Sequence, residues 1–197
     1  MNREEIVEKI QQIGKIVKTS ELYSLGISYR MLEQLIKDGT IKRIKNGYYS
    51  LAQGEYSENE YMNLLFPDGV LTLESALYYY GYQEEKPYFW KIAVDKNTSK
   101  SRFSIVYPIV IPVYTEPEVL NLGVRSIDLD GCTFQIYDRN RLICDCLKQQ
   151  DHFSNEAMQR ILKCYIKDPK KDLFLLDQYA RERKVMTKVK YMIGVWL

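Results

Sequence analysis

The sequence predicts an α+β protein, with a small helical unit at the N-terminus and a larger mixed unit after it. Three observations predict this class. Short helical stretches separated by glycines fill the first part of the chain, and the stretch IKRIKNGYYSLA that follows has the composition of a β-hairpin. β-Branched and aromatic runs then occupy the middle of the chain before helical periodicity returns. We therefore expect a small central sheet in the second unit, followed by C-terminal helices.

Three short helices are predicted at the N-terminus. The first, REEIVEKIQQI, has apolar residues at helical spacing and acidic residues in its first turn, and Gly14 ends it. The second begins at the N-cap candidates Thr19 and Ser20 and stops at Gly26. The third, YRMLEQLIKDG, follows the N-cap Ser28. The tight connection LGIS between the last two helices is typical of a helix-turn-helix.

The predicted hairpin turns at Asn46-Gly47, because both central residues of a type I′ turn need a positive φ. We expect the hairpin to pack on the three helices through its apolar residues, which are Ile41, Ile44, Tyr49 and Leu51. Helix, helix-turn-helix and hairpin in this order are typical of a winged helix. Residues 1–54 are therefore predicted to form a winged helix-turn-helix DNA-binding domain.

Residues 55–197 form the second predicted domain. Two helices, ENEYMNLLF and TLESALYYYGY, precede four predicted strands, PYFWKIAV, IVYPIVIPVY, VRSIDL and CTFQIY. Asp130-Gly131 joins the last two strands as a tight hairpin. Four helical stretches follow the N-cap Asp138, and the last of them is the apolar terminus VKYMIGVWL. This terminus either docks into the core or forms a homodimer contact, and docking is the simpler alternative.

Composition argues against several classes of function. There is no apolar run long enough to cross a membrane, and the first ten residues lack the apolar core of a signal peptide, so we expect a cytoplasmic protein. Four cysteines without a C-x-x-C pair, and His152 as the single histidine, predict no metal site, and we expect these cysteines to be buried and reduced. No catalytic motif or cofactor-binding motif is present, so we expect neither enzyme activity nor a cofactor.

The positive charge of the chain is concentrated at its N-terminus. The net charge is +2, and residues 1–55 hold nine Lys and Arg against seven Asp and Glu, which accounts for the whole excess. On the third helix Tyr29, Arg30 and Gln34 are the candidates for contacting DNA bases, because Arg binds guanine and Gln binds adenine in the major groove. Candidates for phosphate or minor-groove contacts are Lys37, Lys42, Arg43, Lys45 and Asn46. The alternative is a winged helix that binds another protein with the same solvent-exposed face.

Two further groups of basic residues occur later in the chain. One is a predicted loop that contains Lys96, Lys100 and Arg102. Another lies in residues 160–190, with ten Lys and Arg against four Asp and Glu. Its candidate members are Arg181, Arg183, Lys184, Lys188 and Lys190. This second group is either an ordinary solvated face, an extension of the phosphate-binding track, or a contact for an RNA.

The stretch TSELYSLGISYRMLEQLIKDGTIKRIKNGYYSLA closely resembles the N-terminal domain of the AbiE abortive-infection antitoxins. That family has a segment T-x-x-E-L-x-x-L-G-I-S, then L-x-x-G-x-L-x-R-I-x-x-G-x-Y. The matching positions here are Leu25, Gly26, Ile27, Ser28, Leu35, Gly39, Ile41, Arg43, Ile44, Gly47 and Tyr49.

Two later segments are also similar to the family. PDGVLTLESALYYYGY resembles a segment G-x-x-S-x-x-S-A-L-x-x-x-G-L, with Thr72 in the usual Ser position. YDRNRLICDCL resembles x-x-E-R-T-L-x-D-L-L, with Asp138-Arg139-Asn140 in place of Glu-Arg-Thr. The similarity covers most of residues 1–150, and the remaining residues match only in being helical.

The resemblance implies that the protein is the antitoxin of a type IV toxin–antitoxin system for phage defence. In this family the winged helix binds inverted repeats in its own promoter and acts as a transcriptional repressor in autoregulation, an arrangement compatible with a homodimer on the DNA. The larger domain counteracts a nucleotidyltransferase-like toxin without a stable complex. The alternatives are a winged-helix protein-interaction module and a general transcriptional regulator without an antitoxin role.

One polar cluster in the second domain is dense enough to be a functional candidate. Its members are Asp138, Arg139, Arg141 and Asp145. Arg141 and Asp145 are four residues apart on a predicted helix, so the simplest interpretation is a surface ion pair beside the N-cap Asp138. The alternative is a surface needed for antitoxin activity.

Overall fold

The computed structural model describes residues 2–54 and 56–194, which form ten α-helices, two 3₁₀ helices and two β-sheets. The predicted α+β class is therefore confirmed. The chain divides into two compact units. The first consists of Met1–Leu65 and Lys100–Pro108, and the second of Phe66–Ser99 and Ile109–Leu197. The sequence places the domain boundary after residue 54, whereas the contacts place it after Leu65 and return a later segment to the first unit.

The first unit is a helical domain with a three-stranded antiparallel sheet, in the strand order β1-β3-β2. Its elements are α1 (Arg3–Ile13), β1 (Val17–Lys18), α2 (Thr19–Ser24), α3 (Tyr29–Lys37), β2 (Ile41–Lys45), β3 (Tyr48–Leu51) and α4 (Glu58–Leu65). The predicted packing residues of the hairpin, Ile41, Ile44, Tyr49 and Leu51, are all buried, which confirms that prediction. The core that they join contains Ile6, Ile10, Val17, Leu22, Ile27, Leu32 and Leu35.

The two Asx-Gly turns of the chain differ in conformation. Asp130 and Gly131 both have a positive φ, of 52° and 79°, as a type I′ turn requires. In the hairpin of the first unit, Gly47 has a positive φ of 79°, but Asn46 does not have a positive φ. The prediction of a type I′ turn at Asn46-Gly47 is therefore wrong. The pairing of β2 with β3 shifts register between Arg43 and Lys45, and such a bulge bends and twists a ribbon without a type I′ turn.

Two parts of the chain outside residues 2–54 complete the first unit. Glu60 of α4 forms an ion pair with Lys15, and the ring of Tyr61 meets that of Tyr107 edge to face at a centroid distance of 6.4 Å. Residues 100–108, named here the inserted segment, also form a β-bridge between Ile105 and Lys45. This bridge lies at the outer edge of β2, where an unpaired strand otherwise exposes its backbone groups.

The second unit is built around a five-stranded mixed sheet with the strand order β6-β5-β4-β8-β7. Its elements are β4 (Val70–Leu71), α5 (Leu73–Tyr79), β5 (Trp90–Asp95), β6 (Val110–Thr115), α6 (Pro117–Leu120), β7 (Val124–Leu129), β8 (Cys132–Tyr137), α7 (Arg139–Lys148), α8 (Asn155–Lys167), α9 (Leu173–Glu182) and α10 (Met186–Met192). The 3₁₀ helices are Lys100–Phe103, in the inserted segment, and Gln150–His152. β5 with β6 and β4 with β8 are parallel, whereas β4 with β5 and β7 with β8 are antiparallel.

The strands differ from the prediction in two places. The run predicted as a strand over 105–114 becomes β6 only from Val110, because its first part belongs to the first unit. The central strand β4 has only two residues, too few for a periodic pattern, and the sequence did not reveal it. Val70 and Leu71 nevertheless pair with neighbours on both sides, so the shortest strand joins the two halves of the sheet.

The C-terminal helices bury much of their apolar surface. Val189 and Ile193 are buried, in agreement with a docked α10, whereas residues 195–197 of the predicted apolar terminus lie outside the described residues. Among the helices that the structure describes, none has the length and apolarity needed to cross a membrane. Cys144 and Cys146 are buried, but Cys132 and Cys164 are half-buried, so the prediction that all four are buried is wrong for two. Burial raises the pKa of Cys144 to about 12, which keeps this thiol protonated.

Two tyrosines allow the same substitution to be compared in opposite environments. The hydroxyl of Tyr61 is buried with no hydrogen-bond partner among the described residues, whereas that of Tyr137 donates to the carbonyl oxygen of Leu120 at 2.8 Å. We expect Tyr61→Phe to leave the free energy of unfolding unchanged or to raise it by up to about 1 kcal/mol, and Tyr137→Phe to lower it by about 1 kcal/mol. Urea unfolding of both variants checks this. Equal losses in the two variants would contradict it.

Candidate nucleic-acid interface

The direction of α3 is set by the short connection from α2. Gly26 has a φ of +82°, and the N–H of Ile27 donates to the carbonyl oxygen of Leu22 at 3.1 Å, which closes the end of α2. The side chain of Ile27 is buried, and it anchors the connection in the core. Ser28 then accepts a hydrogen bond from the N–H of Met31 and caps α3.

The predicted base-contacting residues lie on the solvent side of α3. Leu32 and Leu35 bury the other side of the helix. Tyr29 is 67% exposed, and Arg30 and Gln34 are also exposed. The side chains of these three residues have no hydrogen-bond or ion-pair partner among residues 2–54 and 56–194, so their polar groups are available to a ligand. Lys37 of the same helix is exposed in the same way.

The hairpin side chains are less free than the sequence suggests. Arg43 donates a hydrogen bond to Oδ1 of Asn46 at 2.5 Å, so these two predicted contacts are joined to each other. Lys42 is exposed, with its ammonium 5.8 Å from the ring centroid of Tyr61. Lys45 is half-buried against Tyr48, at 4.3 Å from the ring centroid. Burial and, to a smaller extent, the positive charge of Arg102 lower the pKa of Lys45.

The predicted basic loop is divided between the two units. Lys96 belongs to the second unit and forms an ion pair with Glu116. Lys100 and Arg102 belong to the inserted segment of the first unit. Lys100 is exposed, whereas Arg102 is half-buried and donates to the carbonyl oxygen of Leu65 at 3.5 Å. The three side chains therefore do not form one patch on one unit.

Three of the five predicted members of the C-terminal basic group are buried or paired within the protein. Arg183 is 6% exposed, and its Nε donates to Oδ1 of Asp145 at 2.7 Å, so its assignment to a surface patch is wrong. Lys188 is half-buried and donates to the carbonyl oxygen of Leu147. Arg181 is exposed but forms an ion pair with Asp177. Lys184 and Lys190 remain as exposed cations.

Three of the four members of the polar cluster of α7 are buried, which overturns its interpretation as a surface. The exposed fractions of Asp138, Arg141 and Asp145 are 8%, 0% and 3%. The i, i+4 pair of Arg141 and Asp145 exists, with Nε of the arginine 3.1 Å from Oδ2, but it lies in the core of the second unit. These side chains therefore support the fold and do not form an antitoxin surface.

Each member of the buried cluster is matched by several partners. Nη1 of Arg141 donates to the carbonyl oxygens of Val119 and Leu122, at 2.6 and 2.8 Å. Asp145 accepts from Arg141 and Arg183 together. Asp138 caps α7 by accepting from the N–H of Arg141 at 2.9 Å. Such multiple hydrogen bonds offset the cost of moving these charges out of water.

Arg139 is the member of the cluster that faces outward. Its guanidinium lies 4.3 Å from the ring centroid of Tyr80, and its Nε donates to Asp168 at 2.6 Å. Burial disfavours ionisation of Asp168, but hydrogen bonds from the N–H of Lys170, from Tyr82 and from Arg139 lower its pKa overall. This carboxylate is therefore charged at neutral pH and holds Arg139 in place.

The sequence of α7 carries no local signal for the burial of these charges. Five of the ten residues in RNRLICDCLK are polar, and Arg141, Asp145 and Lys148 share one side of the helix, as on a solvent-facing surface. Their environment depends on what packs against that side, and any charge buried there needs an internal partner. The partner Arg183 is distant in sequence, and no local pattern identifies it.

Comparisons with known proteins give a likeness in fold. No family model matches the chain, and no curated protein matches it. Among solved structures, the chain is similar to the crystal structure of the Rv2827c protein from Mycobacterium tuberculosis, with a TM-score of 0.52 and 14% sequence identity. The match covers 93% of this chain and 79% of that chain. At this identity the likeness supports a shared mixed α+β fold and carries no statement about activity.

The chain contains two i, i+4 ion pairs between Arg and Asp, one buried and one exposed, and their comparison tests the importance of the buried cluster. We expect Asp145→Ala to lower the free energy of unfolding by about 3–5 kcal/mol, because it leaves two buried arginines without their carboxylate. Asp177→Ala removes the same side chain from the exposed i, i+4 pair with Arg181, and we expect no measurable loss. Chemical denaturation of both variants is the measurement. A loss in the Asp177 variant as large as in the Asp145 variant would show that burial is not the cause.

Proposed function

We propose that the chain is the antitoxin of an AbiE-like type IV toxin–antitoxin system. In this proposal the first unit is a winged helix-turn-helix that binds repeats in its own promoter and represses its operon. The second unit counteracts a nucleotidyltransferase-like toxin. The observation that carries the proposal is the set of exposed side chains on α3 that have no partner within the described part of the chain, next to a basic hairpin.

The chemistry of α3 supports contact with DNA bases. Arg30 and Gln34 are four residues apart, so they lie on one side of the helix, and Tyr29 stands at its N-terminal end. In helix-turn-helix proteins the N-terminal part of the second helix contacts base edges in the major groove. Arginine and glutamine make bidentate hydrogen bonds with guanine and adenine, respectively, so these two side chains are suited to sequence-specific contacts.

The hairpin supports a contribution to affinity. Lys42 is exposed, and a lysine that contacts phosphate strengthens binding to any sequence and makes it dependent on salt. Arg43 and Asn46 hydrogen-bond each other, so they would contact DNA as a joined pair. The proposal therefore assigns sequence choice to α3 and general affinity to the hairpin.

The antitoxin half of the proposal is supported by the resemblance of three segments to the AbiE family. Of the five glycines that match family glycines, Gly26, Gly39, Gly47 and Gly81 have a positive φ, and Gly69 does not. L-residues with a side chain rarely adopt a positive φ, so four of the five positions have a backbone reason for glycine. Asp138 of the third segment is the N-cap of α7, where the family has Glu.

Gel-shift titration with the upstream promoter across a salt series tests DNA binding. We expect Arg30→Ala and Gln34→Ala each to weaken specific binding by about 1–3 kcal/mol, because each removes a base contact. We expect Lys42→Ala to weaken binding to all sequences and to reduce the salt slope by about 1. Lys9→Ala and Gln12→Ala on the exposed side of α1 are the matched controls. Failure of the folded protein to bind the promoter at low salt would instead favour a protein-contact role for this unit.

A survival assay tests whether the two functions are separate. The toxin from the neighbouring gene and the full-length chain are expressed from independent inducible promoters, so that autorepression does not affect the dose. We expect the double variant Arg30→Ala/Gln34→Ala to lose promoter repression but still to rescue growth. The control Lys9→Ala/Gln12→Ala should retain both functions. Loss of rescue by the folded double variant would contradict the assignment of antitoxin activity to the second unit.

A further inference from the structure

A small polar cavity lies in the second unit where α7 begins. Its volume is about 270 Å³, and its lining includes three cationic side chains, Arg125, Arg139 and Lys170. The amide side chain of Asn140 also lines it. None of these four was predicted to form one site, because they come from β7, the start of α7 and the loop before α9.

The side-chain amide of Asn140 is the first feature of the cavity that favours a ligand. It is 4% exposed, and its Oδ1 already accepts two hydrogen bonds, from the hydroxyl of Tyr165 at 2.8 Å and from the N–H of Asp172 at 2.9 Å. These two bonds identify Oδ1 as the acceptor and leave Nδ2 as a donor. Nδ2 has no acceptor among residues 2–54 and 56–194. Nδ2 is not one of the fully enclosed polar atoms, so it is open to the cavity and can donate a hydrogen bond to a molecule bound there.

The three cationic side chains are the second feature that favours a ligand. Arg125 and Lys170 are exposed, and within the described part of the chain neither forms an ion pair. Arg139 uses its Nε on Asp168, which leaves the two terminal nitrogens of its guanidinium. Burial raises the pKa of Tyr80 and of Tyr179, and the positive charge of Arg125 opposes part of this rise, so Arg125 lies near both rings. Three positive groups therefore line the same cavity as the unpaired amide donor.

Two carboxylates, those of Asp138 and Asp172, also line the cavity. Asp138 accepts from the N–H of Arg141 and from the hydroxyl of Tyr179 at 3.2 Å. Asp172 accepts from the N–H of Leu175 at 3.0 Å and caps α9. Both acidic side chains are thus engaged by the first turns of helices. The lining therefore has three positive groups against two negative groups, and Asp168 offsets part of the charge of Arg139.

We propose that this cavity binds the phosphate group of a small phosphate monoester. A phosphate presents several acceptor oxygens in different directions, which matches an amide donor and three cations on different elements, and arginine is well suited to hold it. The volume of about 270 Å³ accommodates a phosphate with a small organic group and lies just below the usual range for drug-sized ligands. The ligand is either inorganic phosphate or a phosphate ester such as a nucleoside monophosphate, and both share this chemistry.

Isothermal titration of the full chain without DNA or toxin tests the proposal, so its failure is independent of the proposed function. The probes are inorganic phosphate and the four nucleoside 5′-monophosphates, at constant ionic strength set with sodium chloride. We expect saturable binding of at least one probe. Tighter binding of a monophosphate than of inorganic phosphate would identify an ester as the ligand, and equal binding would identify the phosphate group alone.

Three variants and two controls locate the binding. We expect Arg125→Ala and Lys170→Ala each to weaken binding about tenfold, because each removes a charge-assisted contact. Asn140→Asp keeps the oxygen that Tyr165 and the N–H of Asp172 need but replaces the donor, so we expect it to abolish binding. The matched controls Arg160→Ala and Lys163→Ala remove exposed cations of α8 outside the cavity lining, and should change affinity less than twofold.

Two outcomes would overturn the proposal. One is the absence of saturable binding of any probe to the folded protein. The other is an equal loss of affinity in the cavity variants and in the α8 controls, which would indicate a general effect of surface charge. Because Arg125 and Lys170 are exposed, their variants remain informative even if Asn140→Asp does not fold.

Discussion

The second unit depends on neutralising one fully buried guanidinium, that of Arg141. A buried cation is tolerated only when acceptors lie close to it, and here they come from Asp145, from the carbonyl oxygen of Val119 in α6 and from that of Leu122 in the loop after it. Nη2 of Arg141 is buried without a hydrogen-bond partner among the described residues. The end of α6 and the loop after it must approach closely to supply the two carbonyls. A Cβ at Gly123 would lie 2.7 Å from the Cβ of Arg141, and the φ of Gly123 is +75°, so only glycine fits there without a shift.

The same carboxylate couples two helices. Asp145 of α7 also accepts from Arg183, which follows the last turn of α9. Tyr179 of α9 donates in turn to Asp138 at the start of α7. The helices are therefore joined by side chains at two positions, and the bond to Asp138 holds the N-terminal turn of α7. The position of Asn140, and hence the shape of the cavity beside it, therefore depends on buried charged side chains.

Local signals predict much of the first unit and part of the second. The glycine stops, the N-cap Ser28 and the apolar face of the hairpin depend on residues within a few positions of one another, and the structure has them as expected. The chain also shows the limit of local signals. Arg141–Asp145 and Asp177–Arg181 are both i, i+4 pairs, yet one is buried and the other exposed. Spacing alone does not distinguish them, because burial depends on what packs against the helix. The predicted surface cluster and the membership of Arg183 in a basic patch were wrong for this reason.

The inserted segment has a consequence for how the protein is made. Synthesis proceeds from the N-terminus, so the ribosome completes α1 to α4 and then β4, α5 and β5 of the other unit before residues 100–108 appear. At typical translation rates this delay is on the order of a few seconds. During that time the outer edge of β2 lacks the bridge to Ile105 and is open to pairing with other chains. The rate of translation through the early part of the second unit therefore sets how long the nascent first unit is exposed to misassembly.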